Sequence, residues 1–251
     1  MYAATPRPVA GPAALALVLA FACAGCDRSA SEAWFPLEAG RSWQYVATVT
    51  RKGEPRSGRH FVTNTGAGTV LGVHALSRRV QGGDTESFRH VPDGIVRVAT
   101  RRGQASAIRA DPPHHYVLKL PPVPGAAWRL PSRLRLVESR TFAIEDRLAG
   151  RTLEFVLDLR VAAVDQRVRV PYGSFENCVR VDGRGARKVL VNRGRATAGI
   201  RVRTSDWYAR GIGLVKSVRE ESTASEFLAS GSYSLELEAM FDGDRPVQVP
   251  N

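Results

Sequence analysis

Cysteine is scarce in this chain of 251 residues, which contains three. Cys23 and Cys26 end an N-terminal apolar segment, so Cys178 is the single cysteine of the remaining chain. One cysteine cannot form a disulfide within its own chain, which excludes a disulfide-stabilised fold. Because an export compartment is normally oxidising, we expect Cys178 to be a small buried apolar residue rather than a reactive thiol.

Familiar catalytic signatures are also missing. The sequence has no G-x-S-x-G elbow, and Gly183–Lys188 lacks the spacing and the hydroxyl residue of a phosphate-binding loop. Gly66-Ala67-Gly68 is followed by Gly72, one position too late for a dinucleotide fingerprint. No H-E-x-x-H is present, and no C-x-x-C follows Cys26. These absences favour a non-enzymatic protein. The alternative is a cell-envelope hydrolase whose site is assembled only in the fold.

The N-terminal apolar run, Ala13–Ala22, is too short to cross a hydrocarbon core, which takes about 20 residues. With Arg7 before it and small residues after it, this run is typical of a secretory signal. Ala24-Gly25-Cys26 resembles the lipobox of bacterial lipoproteins, which implies cleavage before Cys26 and acylation of its thiol and amine. Lipoboxes usually have Leu where this chain has Cys23, an alternative acceptor. The other interpretations are an ordinary cleaved signal and an uncleaved membrane helix.

We therefore predict a signal peptide over residues 1–25, a lipidated polar tether over residues 26–33 and a single β domain over residues 34–251. Cys26 is the predicted lipidation site, with acyl chains such as palmitate. Each buried methylene adds about 0.8 kcal/mol, so two or three chains hold a protein firmly in a membrane. The expected location is the bacterial cell envelope, with the domain in the periplasm. We assign no catalytic, cofactor-binding or metal-ligating residue.

Charge is strongly one-sided, with 36 Lys and Arg against 24 Asp and Glu and a formal net charge of +12. A positive field favours anionic partners such as phospholipid head groups, lipopolysaccharide or acidic wall polymers. Beyond the membrane reached through the lipid, we expect an apolar or anionic envelope ligand or a protein partner, and no nucleic acid. The competing interpretation is that frequent Arg reflects a GC-rich genome. The even spread of the charges favours that interpretation.

Alternating apolar and polar residues dominate the chain beyond residue 34. Leu153, Phe155 and Leu157 share one face of a strand, whereas Glu154 and Asp158 lie on the other, as in a half-buried antiparallel strand. Segments of this kind, separated by Gly or Asp-Gly turns, predict strands over residues 46–50, 60–64, 70–77, 87–91, 94–100, 134–145, 153–164, 166–170, 177–182, 188–192, 200–208, 213–220 and 230–241. About a dozen strands favour an all-β fold, a strongly curled antiparallel sheet or open barrel with little helix. Residues 220–228 are a candidate for one short helix.

A Pro, a Gly and a Trp recur at the same spacing in Pro36–Trp43 and Pro121–Trp128. Pro and Gly favour a turn, and the Trp that follows would open a strand with its ring packed inward. The two copies suggest two pseudo-repeated halves, although only these three positions match strictly.

Three segments resemble a set of uncharacterised bacterial envelope lipoproteins. Trp34–Tyr45 is similar to their [YW]-F-P-L-x-x-G-x-x-W-x-Y opening, Val170–Val179 to V-P-x-G-x-[FY]-x-[ND]-C-[LV], and Trp207–Lys216 to W-Y-A-x-G-[VI]-G-x-[VI]-K. The resemblance implies a mostly antiparallel β fold, akin to the open half-barrels of lipoprotein carriers. It places Cys178 in a structural motif and implies no established activity.

The best candidate for metal ligation is Asp111–His115. Adjacent His side chains on a strand point to opposite faces, so His114 and His115 would not readily share an ion. We therefore interpret this segment as a polar loop before a strand. Histidines elsewhere are scattered singly and are expected at the surface. The acid pairs Glu145-Asp146 and Glu220-Glu221 lie beside predicted turns or strand ends, where solvated charge is normal.

Overall fold

Long β-strands follow from the alternating sequence. The computed structural model describes Met1, residues 34–140 and residues 153–248. In these residues the strands are β1 (Arg41–Arg51), β2 (Glu54–Val70), β3 (Val73–Val80), β4 (Thr85–Val91), β5 (Gly94–Arg101), β6 (Arg109–Ala110), β7 (Tyr116–Lys119), β8 (Ala127–Arg133), β9 (Glu138–Ser139), β10 (Glu154–Val170), β11 (Gly173–Val191), β12 (Ala196–Ala209), β13 (Gly213–Thr223), β14 (Leu228–Ala229), β15 (Gly231–Asp242) and β16 (Arg245–Val247). The all-β prediction is confirmed.

Fourteen of these strands form one antiparallel sheet. Their order is β6-β5-β4-β3-β2-β1-β15-β13-β12-β11-β10-β8, with β7 beside β5 and β16 beside β15. Among the described strands, β6 and β8 end the series without pairing to each other, so the sheet is open. The short β9 and β14 pair separately.

The sheet curls until strands from distant parts of it share one core. Phe88 on β4, Ile95 on β5 and Leu118 on β7 belong to the same buried cluster as Leu159 on β10 and Ile200 on β12. We call the face that carries these residues the inner face, and the opposite face the outer face. This packing confirms the predicted strongly curled sheet.

A second buried cluster takes residues from β1, β11, β13 and β15. It contains Trp43, Val215, Leu237 and the free thiol of Cys178. The Trp43 indole donates a hydrogen bond of 2.8 Å to the carbonyl of Ile212. Cys178 has no exposed surface, and burial, followed by the nearby charge of Glu176, raises its pKa to about 11. The prediction of a small buried residue is confirmed.

Several predicted strand boundaries are wrong. Residues 70–77 do not form one strand, because a turn at Leu71 and Gly72, both with positive φ, separates β2 from β3. The predicted strand over residues 134–145 also fails, since Leu134–Val137 is not strand and residues 141–152 lie outside the described residues. The candidate helix over residues 220–228 is wrong, because β13 continues to Thr223.

The Pro-Gly-Trp pattern has the predicted local structure in both copies. Gly40 and Gly125 adopt φ of 86° and 89°. Trp43 and Trp128 follow near the start of a strand and are 2% and 7% exposed. The two copies occupy different places in the sheet, because β1 lies in the middle of the strand order and β8 at its end.

Candidate ligand-binding cleft

The turns at one end of the sheet surround the candidate site. This end, which we call the hairpin end, carries the β1–β2 turn, the β11–β12 turn and the connection from β13 to β14. The strand register places these turns together, because Arg51 pairs with Gly231 and Val191 pairs with Ala196.

A cleft of about 760 Å³ opens at the hairpin end between β12 and the β13–β14 connection. It exists because β13 is shorter than its neighbour. The pairing of β12 with β13 begins at Ile200 and Thr223, so residues 196–199 are not paired with a strand on that side. The chain then turns away through residues 224–227, which form the opposite wall.

The cleft combines an apolar floor with cationic edges. Val191, Ala198 and Ile200 supply buried apolar surface continuous with the inner core, and Phe227 packs against the same cluster. Its charged lining residues are Arg187, Lys188, Arg201 and Glu226. Lys188 and Arg201 are exposed and form no ion pair with any described residue. An amphiphile with an acyl chain and an anionic head fits this chemistry.

A buried carboxylate fixes the segment that supports the cleft wall. Glu221 has no exposed surface and accepts hydrogen bonds from the backbone N–H groups of Arg135 at 3.0 Å, Leu136 at 2.9 Å and Val137 at 3.2 Å. The Arg219 guanidinium pairs with it at 2.8 Å. We call Leu134–Val137 the strap. It leads directly into β9, which pairs with β14.

The strap connects Glu221 to the cleft. The β9–β14 pair joins Glu138 to Ala229 and Ser139 to Leu228. Beyond it, the Arg140 N–H donates to the Phe227 carbonyl at 2.9 Å. The wall that carries Phe227 is thus held by a chain of hydrogen bonds that begins at Glu221.

The prediction that Glu220 and Glu221 are both solvated is wrong for Glu221. Glu220 is exposed, as expected, whereas Glu221 points to the inner face. Its donors come from residues 84 to 86 positions away in the chain. The alternation of β13 indicated which face each residue occupies, but no local pattern indicated that a strap would cross that face.

Asp206 is another acid on the inner face, and no sequence pattern singled it out. It pairs in register with Ser217 on β13 and lies between buried Val202 and Tyr208 on β12. Burial raises its pKa to about 6, and a hydrogen bond from Ser217 and the charge of Arg219 oppose the rise. Asp206 does not line the cleft. Its position therefore offers a titratable group within the core and not a group facing a ligand.

In the candidate metal-binding segment, Asp111–His115, the Asp111 carboxylate binds an arginine. The Arg97 guanidinium donates to the Asp111 carboxylate at 2.8 and 3.1 Å and to Glu86 at 2.6 Å. His115 is buried with Nδ1 3.7 Å from Asp111, and burial, followed by the charge of Arg97, lowers its pKa. His114 is exposed, so the two histidines do not converge. Within the described residues, no group of three His, Cys, Asp or Glu side chains could hold a metal ion.

The predicted site residue, Cys26, lies outside the described residues, as does the acid pair Glu145-Asp146. In the described part of the chain, no helix has the length and apolar character needed to cross a membrane. The lone histidines His60 and His90 are partly exposed and His74 is exposed, and none of the three lines this cleft.

Comparison with known proteins finds solved structures of low similarity. No family model and no curated protein matches the chain. A presumed exported protein with a YmcC-like fold from Bacteroides fragilis NCTC 9343 is 15% identical, with a TM-score of 0.40 over 83% of this chain and 98% of that one. A presumed lipoprotein from Parabacteroides distasonis ATCC 8503 is 14% identical, with a TM-score of 0.38 over 82% and 97%. A DUF1329 family protein from Desulfovibrio piger ATCC 29098 is 11% identical, with a TM-score of 0.24 over 80% and 86%.

Proposed function

We propose that this protein is a lipid-anchored, non-enzymatic binding protein of the bacterial cell envelope, and that its ligand is an anionic amphiphile bound in the cleft at the hairpin end. Lipidation of Cys26 would supply the anchor. The observation that carries the ligand proposal is the cleft at the free edge of β12, which apolar Val191, Ile200 and Phe227 line from the inner face. Lys188 and Arg201 line it from the outer face and have no carboxylate partner among the described residues.

The chemistry of the cleft supports binding rather than catalysis. A hydrolase needs a nucleophile or an activated water beside a general base. The cleft's hydroxyl groups come from Thr197, Thr223 and Ser225, and its one carboxylate from Glu226. Thr223 and Ser225 hydroxyls bond to backbone groups, at 2.9 Å to the Gly199 carbonyl and 3.3 Å to the Phe227 N–H. These hydroxyls support the fold of the wall.

A binding titration tests the ligand proposal. Full-length protein in a mild detergent is titrated with a fluorescent fatty acid while the probe's emission is followed. We expect saturable binding that weakens about tenfold or more in the Lys188→Gln, Arg201→Gln double variant, because two charge-assisted contacts are lost. Arg203→Gln is the matched control, since Arg203 lies two residues along the same outer face and does not line the cleft. Equal affinity in the double variant and the control would overturn the proposal.

A filling substitution tests the same cleft without removing charge. A Cβ added to Gly199, which lines the cleft, would meet no atom within 4 Å. Gly199 is directly opposite Lys188 in the strand register, so Gly199→Leu should fold normally while occupying the space beside the cations that the anionic head needs. We expect it to reduce probe binding with an unchanged unfolding midpoint. A normally folded variant that binds as the wild type does would contradict the assigned location.

The anchor is tested separately by Cys26→Ser. If Cys26 carries the lipid, this variant should leave the membrane fraction, and globomycin should block processing of the wild-type chain. Cys178→Ser is the control that keeps the N-terminal cysteine. A Cys26→Ser protein that remains in the membrane fraction would contradict the lipid assignment and leave the cleft proposal intact.

A further inference from the structure

A row of residues on the outer face of β3, β4 and β5 places two arginines on either side of a threonine. Arg79 pairs in register with Thr85, and Thr85 pairs with Arg101. Residues directly opposed across antiparallel strands share a face, and neighbouring strands lie about 4.8 Å apart. The two side chains therefore start roughly 10 Å apart, close enough for their guanidinium groups to reach one small ligand.

Neither arginine has a carboxylate partner among the described residues. The Nε of Arg101 is buried without a hydrogen-bond acceptor. Acids on the same strands are engaged elsewhere. Asp84 accepts from the Gly103 N–H at 2.9 Å and pairs with Arg102 at 3.6 Å, and Glu86 pairs with Arg97 at 2.6 Å. Two neighbouring cations without an anion repel each other, which favours a bound anion between them.

The surroundings of the two arginines form a cleft of about 620 Å³ that is rich in hydroxyl groups. Beside the two arginines, the lining residues with hydroxyl or amide groups are Thr65, Ser77, Thr85, Ser87, Thr100 and Gln104, and the lining includes no carboxylate. The hydroxyls of Ser77 and Ser87 lie 3.1 Å apart. Hydroxyl and amide donors beside two guanidinium groups match the several acceptor oxygens of a doubly charged oxyanion.

We propose that this outer-face cleft is a second binding site, independent of the amphiphile cleft, and that it takes a phosphate group, either free or as part of a lipid head group. Arg79 and Arg101 supply the charge, and Thr85 lies between them. A phosphate presents more acceptor oxygens and more charge than a single carboxylate, so it satisfies both arginines at once.

The test uses the full-length Cys26→Ser protein, so that the proposed acyl chains do not insert it into every vesicle, in phosphate-free buffer, titrated calorimetrically with inorganic phosphate and, separately, mixed with vesicles that contain phosphatidylglycerol. We expect the Arg79→Gln, Arg101→Gln double variant to bind at least about tenfold more weakly, because two charged donors are lost. Arg89→Gln is the matched control, since Arg89 is exposed on β4 and does not line the cleft. Arginine-dependent binding of free phosphate supports a soluble ligand. Arginine-dependent binding of the vesicles alone supports a lipid head group. Equal behaviour of the double variant and the control towards both probes overturns the proposal.

Thermal unfolding without phosphate tests the proposal even if the variants lose binding because they fold poorly. Because the wild-type arginines repel each other when the site is empty, the double variant should unfold at or above the wild-type midpoint. Adding phosphate should raise the wild-type midpoint and leave that of the double variant unchanged. A double variant that is destabilised without phosphate would mean that the arginines support the fold, which contradicts a ligand role.

Discussion

Inside the curled sheet, two arginines lie against carboxylates: Arg219 is 2.8 Å from Glu221, and Arg97 is 2.8 Å from Asp111. On the outer face, four cations that line the two clefts, Lys188, Arg201, Arg79 and Arg101, have no carboxylate partner among the described residues. Strand β5 carries both kinds, with Arg97 facing inward and Arg101 facing outward. The difference indicates that the paired inner charges hold the fold, whereas the unpaired outer charges are available to ligands.

Two acids of the inner face, Glu221 and Asp206, have contrasting surroundings. Glu221 accepts three backbone hydrogen bonds and an arginine contact. Asp206 has Ser217 as a hydrogen-bond partner, and burial raises its pKa to about 6. A carboxylate with several donors is well satisfied in the interior, whereas burial of one with few donors favours its protonated form.

Removing the charge of Glu221 should have the largest effect on stability. Glu221→Gln leaves Arg219 unpaired in a buried position and puts an amide NH₂ near the backbone donors of the strap. We expect a loss of about 3–5 kcal/mol in the free energy of unfolding, measured by urea denaturation. Glu220→Gln, at the exposed neighbouring position, should change it by less than about 0.5 kcal/mol. Similar losses in the free energy of unfolding of the two variants would contradict the claim that the paired charges of the inner face hold the fold.

Asp206 should make the stability depend on pH. Its folded pKa of about 6 lies above the ordinary value of 3.8, so folding takes up a proton between these values. Stability is then greatest in acid and falls as pH rises through this window, by up to about 3 kcal/mol. Asp206→Asn stays neutral, so it should be more stable than the wild type at about pH 7.5 and nearly equal at about pH 4. Parallel stability profiles for the two proteins would show that Asp206 does not titrate in this way.

Substitutions at two glycines compare the inner and outer faces through side-chain packing rather than through charge. A Cβ at Gly185, on the inner face of β11, would lie 2.6 Å from the Phe155 ring and 2.9 Å from the Val156 carbonyl oxygen. Overpacking of this kind typically costs about 1–3 kcal/mol, so Gly185→Ala should lower the free energy of unfolding by that amount. Gly199→Ala, on the outer face of β12, should have little effect, because a Cβ there meets nothing within 4 Å. A neutral Gly185→Ala would mean that the inner packing is looser than described.

The sequence predicted features that depend on near neighbours. Alternation in β10 identified its buried and exposed faces, the glycines at 40 and 125 identified turns, and the lack of a pairing cysteine indicated that Cys178 is buried. Strand ends were less predictable, because β2 and β3 join through Leu71 and Gly72 inside an apparently continuous alternating segment. The charge pattern predicted a cationic protein but did not indicate where a ligand would bind.

The cleft could not be predicted because its parts meet through the fold. It needs β13 to stop pairing at Thr223 while β12 extends to Ala196, and it needs a wall held through the strap. Glu221 looked like a solvated acid because its donors lie far away in the chain. Such features depend on where segments meet after the sheet has curled, which alternation within one strand does not encode.

Native mass spectrometry of the full-length protein, extracted gently from membranes, tests the ligand proposal most directly. The wild type and Arg203→Gln should retain a non-covalent mass that matches an anionic amphiphile, beyond the mass of the lipid on Cys26. The Lys188→Gln, Arg201→Gln and Gly199→Leu proteins should lose most of that mass while remaining folded. A wild-type protein without a bound amphiphile, or variants that retain it undiminished, would contradict the proposal that the cleft at the hairpin end binds such a ligand.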